Sequence, residues 1–386
     1  MFPNLAPETG KQRNIFISAG EQSGELHAYS LIKEIKTLAG DKGISFAGLG
    51  GDLMKSAGVE LLHHISNLST IGFVDVIKKY SYFKKILNDC TNYVKKNEPD
   101  AVILIDYPGF NLRFAEQLRK FYRKKIIYYI SPQLWAWHKK RVYKVKKYID
   151  KMLVVFPFEE KFYKNYDIDV TFVGHPLVTR IKEFLENNPK EKKVFGSEKV
   201  ITFLPGSRKD EITNHMPVLI ETAKQLSTRF DNKIYFSKAP GLDEKLFERF
   251  LPGLKEFNLT EEDIYKLVLN SDLVFTKAGT STVECALIGT PFLIFYKTFP
   301  VNYFLLKPVV KVDRLGMVNI LTDEMVIKEF IQNDFNSVNL LLEANRILSD
   351  EEYRNRIKSK LKKIWDILGN ENASVNAARI ILEEMQ

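Results

Sequence analysis

Cysteine is almost missing from this chain: Cys90 and Cys285 are the only two among 386 residues, far apart and without a metal-type spacing. That excludes a disulfide framework or a cysteine-built metal site as the organising feature, and it fits a reducing compartment. No apolar run approaches the ~20 residues that span a bilayer. The opening stretch, MFPNLAPETGKQRN, lacks the apolar core of a signal peptide, so the expected location is cytoplasmic. Low-complexity tracts and internal repeats are missing too, and no G-x-G-x-x-G supports a dinucleotide fingerprint. The composition itself is globular, 45% hydrophobic and 27% charged, and the length allows two domains with separate cores. A net charge of +9 favours anionic partners: nucleic acid, an anionic lipid surface or phosphorylated substrates.

Apolar runs recur as strands that feed small-residue loops and then helices. NIFIS (14–18) leads into AGEQSGE, with a helix expected from about Glu25 to Leu38. In that loop Glu21 and Ser23 can hydrogen-bond a sugar or cap the helix. ISFAGLGG (44–51) reads as a second strand and its turn. AVILID (101–106) is continuously apolar, as a strand buried on both faces of a parallel sheet should be, and it ends in Asp106. A carboxylate at the C-terminal end of a central strand is placed to act as a general base. A capping role is the alternative, against which YPGFN separates Asp106 from the expected helix LRFAEQLRK.

The second half repeats this logic twice. VITFLPGSRKDEI runs a strand (200–204) into Gly206, Ser207 and Arg208, whose amides and guanidinium suit a diphosphate, and then into a helix with Glu211 near its start. DLVFTKAGTSTVECALIGTP (272–291) runs a strand into Gly279, Thr280 and Ser281, with a helix expected near Thr282 and Glu284 in its first turn, in reach of a ribose. Strand, Gly/Thr turn, helix with a carboxylate and a second strand is the layout of a nucleotide-diphosphate site. An ordinary βαβ unit is the plainer alternative at each loop, and two such loops in one half strengthen the functional reading.

Three stretches combine apolar and basic residues. IGFVDVIKKYSYFKKIL (71–87) has helical period, with Phe73, Val74, Ile77, Tyr80 and Phe83 on one face and lysines flanking it. Such a stripe serves as core, or as contact with a lipid surface or acyl chain. KTFPVNYFLLKPVVKV, after Pro291, is also apolar and basic. Trp135 to Lys151 is the densest basic–aromatic cluster, suited to nucleic acid, to anionic lipid, or to plain solvation, but no RNA-binding motif accompanies it. His175, between Gly and Pro, could donate to a phosphate or sit in a structural turn. The span 182–199 is the best linker candidate. Asp167-Ile168-Asp169 matches the D-x-D metal signature formally, yet it precedes a strand rather than following one.

With these residues in view, the chain resembles the lipid-A-disaccharide synthase family. The resemblance is carried by AGEQSGE, IDYPGFN, SPQLWAW, VGHP, LPGSRKDEI, AGTSTVECALIGTP and VDRLGMVN, and it covers nearly the whole length. It implies an α/β GT-B fold: two Rossmann-like domains with parallel sheets facing a central cleft. It implies a metal-independent, cofactor-free, inverting transfer from UDP-2,3-diacylglucosamine to 2,3-diacylglucosamine 1-phosphate, at the cytoplasmic face of the inner membrane. Asp106 would be the base, joined by Glu21; Ser23, Gly24 and Asn111 would line the acceptor side. Gly206, Ser207, Arg208, Gly279, Thr280, Ser281 and Glu284 would hold the donor, with Asn319, Glu329 and Gln332 near its sugar or uridine. Departures from the family pattern are Gly109, Glu25, Lys277 and Val318. The expected divisions are 1–185, 186–350 and a helical segment 351–386 that a homodimer could exchange. Rival readings are another UDP-sugar enzyme of the same fold, such as the peptidoglycan N-acetylglucosaminyltransferase or a UDP-N-acetylglucosamine 2-epimerase, and a non-catalytic RNA- or lipid-binding protein.

Overall fold

The apolar runs become strands because burying both faces of a pleated segment removes every large side chain from water, at about 1.5–3 kcal/mol each. Ala101–Ile105 shows the limit, with all five residues at 0% exposure. The structure is a computed structural model that describes residues 13–40, 43–66, 76–137, 139–189, 198–239, 241–243, 245–299 and 313–386. Phe73 and Val74, the side chains of Ile77 and Tyr80, His138 and nearly all of the 297–312 apolar–basic stretch lie outside that description.

The chain divides into two units, residues 1–176 with 371–386, and 177–370. In the first, β1 (Arg13–Ala19), α1 (Gln22–Ala39), β2 (Ile44–Gly50), α2 (Asp52–Ser56), β3 (Val59–His64) and α3 (Val76–Asn97) precede the central strand β4 (Ala101–Ile105). Then come α4 (Pro108–Leu118), β5 (Lys125–Tyr129), α5 (Val142–Tyr148), β6 (Lys151–Val154), α6 (Pro157–Lys164) and β7 (Val170–Phe172). All seven strands are parallel, in the order β3-β2-β1-β4-β5-β6-β7.

The second unit follows α7 (Pro176–Asn187) with β8 (Lys199–Leu204), α8 (Lys209–Ser227), β9 (Asn232–Ser237), β10 (Asn258–Thr260), α9 (Ile264–Asn270) and β11 (Leu273–Lys277). It continues through α10 (Thr280–Ile288), β12 (Phe292–Tyr296), α11 (Met317–Thr322), β13 (Glu329–Ile331), α12 (Ser337–Ser349) and α13 (Glu351–Leu368). Its parallel sheet has the order β10-β9-β8-β11-β12-β13. Both orders reverse beside the first strand of the unit, between β1 and β4 and between β8 and β11, and a doubly wound sheet opens its ligand crevice at such a reversal.

The units differ from the expected divisions in two places. Their boundary falls at Pro176/Leu177, ahead of 185/186, because α7 continues through Asn187 where a linker was expected to begin at 182. The tail does not stay together: α13 belongs to the second unit, where the Trp365 indole donates to the Leu287 carbonyl at 3.0 Å, whereas α14 (Ala373–Glu384) returns to the first. There α14 packs on α1, and Glu384 takes an ion pair from Lys125 at 2.7 Å. Among the described residues no helix is long and apolar enough to cross a membrane.

Candidate active site

Asp106 follows β4 directly, and both it and Tyr107 have left-handed backbones, φ 45° and 47°. Such conformations cost non-glycine residues about 1–2 kcal/mol each, so the surroundings must enforce them. The enforcement is local. Asn111 Nδ2 donates to the carbonyls of Ile105 at 3.1 Å and Asp106 at 2.7 Å, and its Oδ1 accepts from Ser18 at 2.8 Å. The Tyr128 hydroxyl donates to the same Asp106 carbonyl at 2.5 Å. Gly20, in the loop after β1, lies under the Tyr107 ring, and a Cβ there would come within 2.0 Å of it. Helix α4 begins at Pro108, with Tyr107 as N-cap, so no loop separates Asp106 from the helix as expected; a proline can start a helix where its missing N–H costs nothing. Burial, and secondarily the charge of Glu21, push the Asp106 carboxyl up to about 6.

Glu21 is thus near Asp106 and exposed, and its side chain does not cap α1. Other expected acceptor residues stand differently. Because α1 starts at Gln22, Ser23 and Gly24 lie in its first turn rather than in the loop. Ser23 is exposed, but Gly24 is buried against Ala19 and the Ile105 carbonyl, where it seats the helix. Asn111 is fully buried with both amide ends taken, so it braces the Asp106 turn and does not face a ligand. Glu25, one of the departures, caps α2 by accepting from the Leu53 amide at 2.7 Å. Gly109, another, faces open space, with nothing within 4 Å of where a Cβ would stand.

Beside Asp106 lies a cavity of about 230 Å³ that sequence reasoning missed, walled by the loops after β5 and β6 and by Trp137, Arg141 and Glu159. Glu159 is 1% exposed and accepts from the Ser131 hydroxyl at 2.5 Å, the Trp135 indole at 3.2 Å and the Phe156 amide at 3.2 Å. Burial outweighs these bonds and pushes its carboxyl up to about 7. Its only sequence signal was FPFEE, a proline and an acid at helix-starting spacing. Phe83, placed on the acyl-contact face, meets Phe110 edge-on at 5.3 Å and packs on the core. His175 is buried against Phe156, and burial lowers it to about 3, so it brings no cation to a phosphate.

In the second unit the two expected loops end β8 and β11. At the head of α8, Glu211 Oε2 accepts from the Ser207 amide at 2.9 Å and the Arg208 amide at 3.3 Å, so those amides are not open to a diphosphate as expected. Gly206 has φ 132°, and a Cβ there would meet the same carboxylate at 2.5 Å. Lys277 reaches across from the end of β11 to Glu211 Oε1 at 3.1 Å. Burial would raise Glu211, but Lys277 and the Ser207 amide outweigh it and hold the carboxyl below its ordinary range. The Arg208 side chain is 81% exposed and carries the outward positive charge.

Helix α10 starts at Thr280, earlier than expected, which moves Glu284 from the first turn to the second. Burial raises the Glu284 carboxyl, and the Tyr265 hydroxyl donates to it at 3.0 Å. Gly279 is extended, φ 163°, a conformation open to any residue, and its lack of a side chain makes room for the Lys277 ammonium. Thr280 is exposed at the helix start, and the Ser281 hydroxyl bonds Thr276 at 2.6 Å. Asn319 and Glu329 are both engaged by backbone groups of their own loops. Asn319 is buried and clasps Ile327 through both amide ends, while Glu329 accepts from the amides of Leu315 at 2.8 Å and Gly316 at 2.9 Å. Gln332 accepts from the Thr298 amide at 3.2 Å. His215, not foreseen, ties the loop after β8 to the chain leaving β12: Nδ1 meets the Pro205 carbonyl at 2.6 Å and Nε2 the Lys297 amide at 3.1 Å, and burial keeps it below its ordinary range.

These two parallel-sheet units match solved proteins of low sequence identity in fold. A UDP-GlcNAc 2-epimerase from Methanocaldococcus jannaschii, solved with UDP-GlcNAc and UDP, is similar with TM-score 0.63 at 13% identity over 96% of this chain and 99% of that one. The calicheamicin glycosyltransferase CalG4 is similar with TM-score 0.62 at 14% identity over 97% and 98%. The fold is the GT-B α/β fold of glycosyltransferases. A family model of lipid-A-disaccharide synthetase matches residues 15–384, and a lipid-A-disaccharide synthase of Geobacter sulfurreducens is 36% identical over 96% of both chains. The chain belongs to the lipid-A-disaccharide synthetase family and is a glycosyltransferase of lipid A biosynthesis.

Proposed function

We propose that Asp106 is the base of an inverting transfer from UDP-2,3-diacylglucosamine to 2,3-diacylglucosamine 1-phosphate. The acceptor 6-hydroxyl oxygen attacks the donor's anomeric carbon, its proton passes to the Asp106 carboxylate, and the bond to UDP breaks on the opposite face. The observation that carries this reading is Asp106 itself: a strained, braced carboxylate at the sheet's reversal, pushed up to about 6, suited to taking a proton near neutrality. The departing diphosphate needs positive charge, which Arg208 and the start of α10 supply without a metal in this reading. Glu21 holds the Asp106 carboxyl up, and Glu284 addresses the donor ribose. Acyl chains and the inner membrane surface meet the 299–311 stretch, of which Phe299 is 43% exposed, and the part of 71–87 ahead of the core residues Phe83, Ile86 and Leu87. In a homodimer exchanging C-terminal segments, the contact of α14 with α1 would form between copies.

The test is UDP and disaccharide production with and without acceptor, in wild type and Asp106→Asn. Acceptor-dependent product that the variant loses supports the reading. Turnover of UDP-N-acetylglucosamine without acceptor, equal in both proteins, would replace it with an epimerase.

A further inference from the structure

The cavity beside Asp106 holds chemistry that the transfer step leaves unused. Among the described residues lining it, Arg141 is the only cation; Asp106 and Glu159 are acids, and Gln133 is neutral. Arg141 ends a short 3-10 turn, Lys139–Arg141, and its charge is felt at the Tyr128 hydroxyl that binds the Asp106 carbonyl. Arg141 is itself exposed, but it lines the cavity where Lys139 and Lys140 do not. Trp137 is 47% exposed and lines the same wall. The volume, about 230 Å³, lies below the ~300–1,000 Å³ of drug-sized ligand sites and suits one sugar ring better than an acyl chain.

An anion entering this cavity is repelled by Asp106 and Glu159 and attracted by Arg141 alone. A hydroxyl, in contrast, is what Asp106 requires. The two demands are met by one molecule, a hexosamine whose anomeric phosphate and hydroxymethyl group sit on the two carbons flanking the ring oxygen. We propose that Arg141 binds the anomeric phosphate of the acceptor sugar, with Trp137 against the ring, and so orients the 6-hydroxyl toward Asp106; this rests on the transfer reading above. A guanidinium suits the task because its paired donors match phosphate oxygens in direction as well as charge. Arg141 is then the residue by which the enzyme distinguishes a phosphorylated acceptor from a dephosphorylated one.

Equilibrium binding of 2,3-diacylglucosamine 1-phosphate and of its dephosphorylated form, both in detergent, tests this directly. Wild type should prefer the phosphorylated sugar by about 10- to 100-fold, the worth of a charge-assisted bond. Arg141→Gln should erase that preference while leaving affinity for the dephosphorylated sugar within about twofold, which also shows that the variant is folded. Arg141→Lys should keep part of the preference, and Trp137→Ala should weaken both sugars alike. A preference that survives in Arg141→Gln overturns the proposal. Wild-type turnover, measured alongside, judges the transfer reading separately: binding that obeys these rules without any disaccharide would reject that reading and keep the phosphate site.

Discussion

Both units place a carboxylate at the reversal of a parallel sheet and then treat it in opposite ways. Asp106 has a buried setting and an acidic neighbour, Glu21, so its carboxyl rises to about 6. Glu211 is also buried by its loop, but Lys277 and a backbone amide more than offset burial and hold it low. The first arrangement keeps a proton exchangeable near neutrality. The second keeps a fixed charge that orders a loop and leaves Arg208 pointing outward. The same fold thus yields a raised carboxyl in one unit and a lowered one in the other, according to which charges stand within reach.

The comparison breaks most completely at Asp106. Asp106→Asn should lower turnover about 10²- to 10⁴-fold, the usual worth of a general base. It should also stabilise the protein, because a carboxyl raised from 3.8 to about 6 binds its proton more tightly when folded. Stability contributed that way is lost as pH rises through that window, so at pH 8 the variant should gain about 2 kcal/mol in chemical denaturation.

Next in size is the opposite carboxylate. Lys277→Met strands Glu211 in a largely buried place and should cost about 1–3 kcal/mol, while adding Glu211→Gln should recover most of the loss. Since Glu211 is held below its ordinary 4.5, its contribution is present above that pH and disappears as pH falls through the lower folded value. Acid unfolding of Glu211→Gln should accordingly be less steep below about pH 4.5 than that of wild type.

Arg208→Gln should raise the donor KM about 10-fold with little effect on the acceptor, and Arg208→Lys should restore only part, as a point charge lacks paired donors. Smallest is Glu21→Gln. Removing that charge lowers the Asp106 carboxyl, so the acidic limb of the rate profile should move down by roughly half a pH unit.

How legible was this in the sequence? The strands were, because runs such as Ala101–Ile105 need no partner knowledge to announce burial on both faces. Asp106 was legible for the same reason: it ends such a run. Polar residues were harder, since a motif names a residue without saying whether it faces a ligand or the backbone. Asn111 and Asn319 match family stretches, yet both are buried and spend both amide ends on their own loops. Glu159 and His215 gave little local signal because what defines them comes from far along the chain: Ser131 for one, Lys297 for the other. The Lys277–Glu211 pair joins two loops 66 positions apart, which no window of sequence displays.

The most direct test of the contrast is the pH dependence of kcat/KM for the acceptor. If Asp106 must lose its proton before it can accept another, activity should rise with pH through one ionisation near 6, shift downward in Glu21→Gln, and stay in place when Lys277 and Glu211 are replaced together. An acidic limb that follows the Lys277 and Glu211 replacements, or one that persists unchanged in Asp106→Asn, would contradict the assignment of the base.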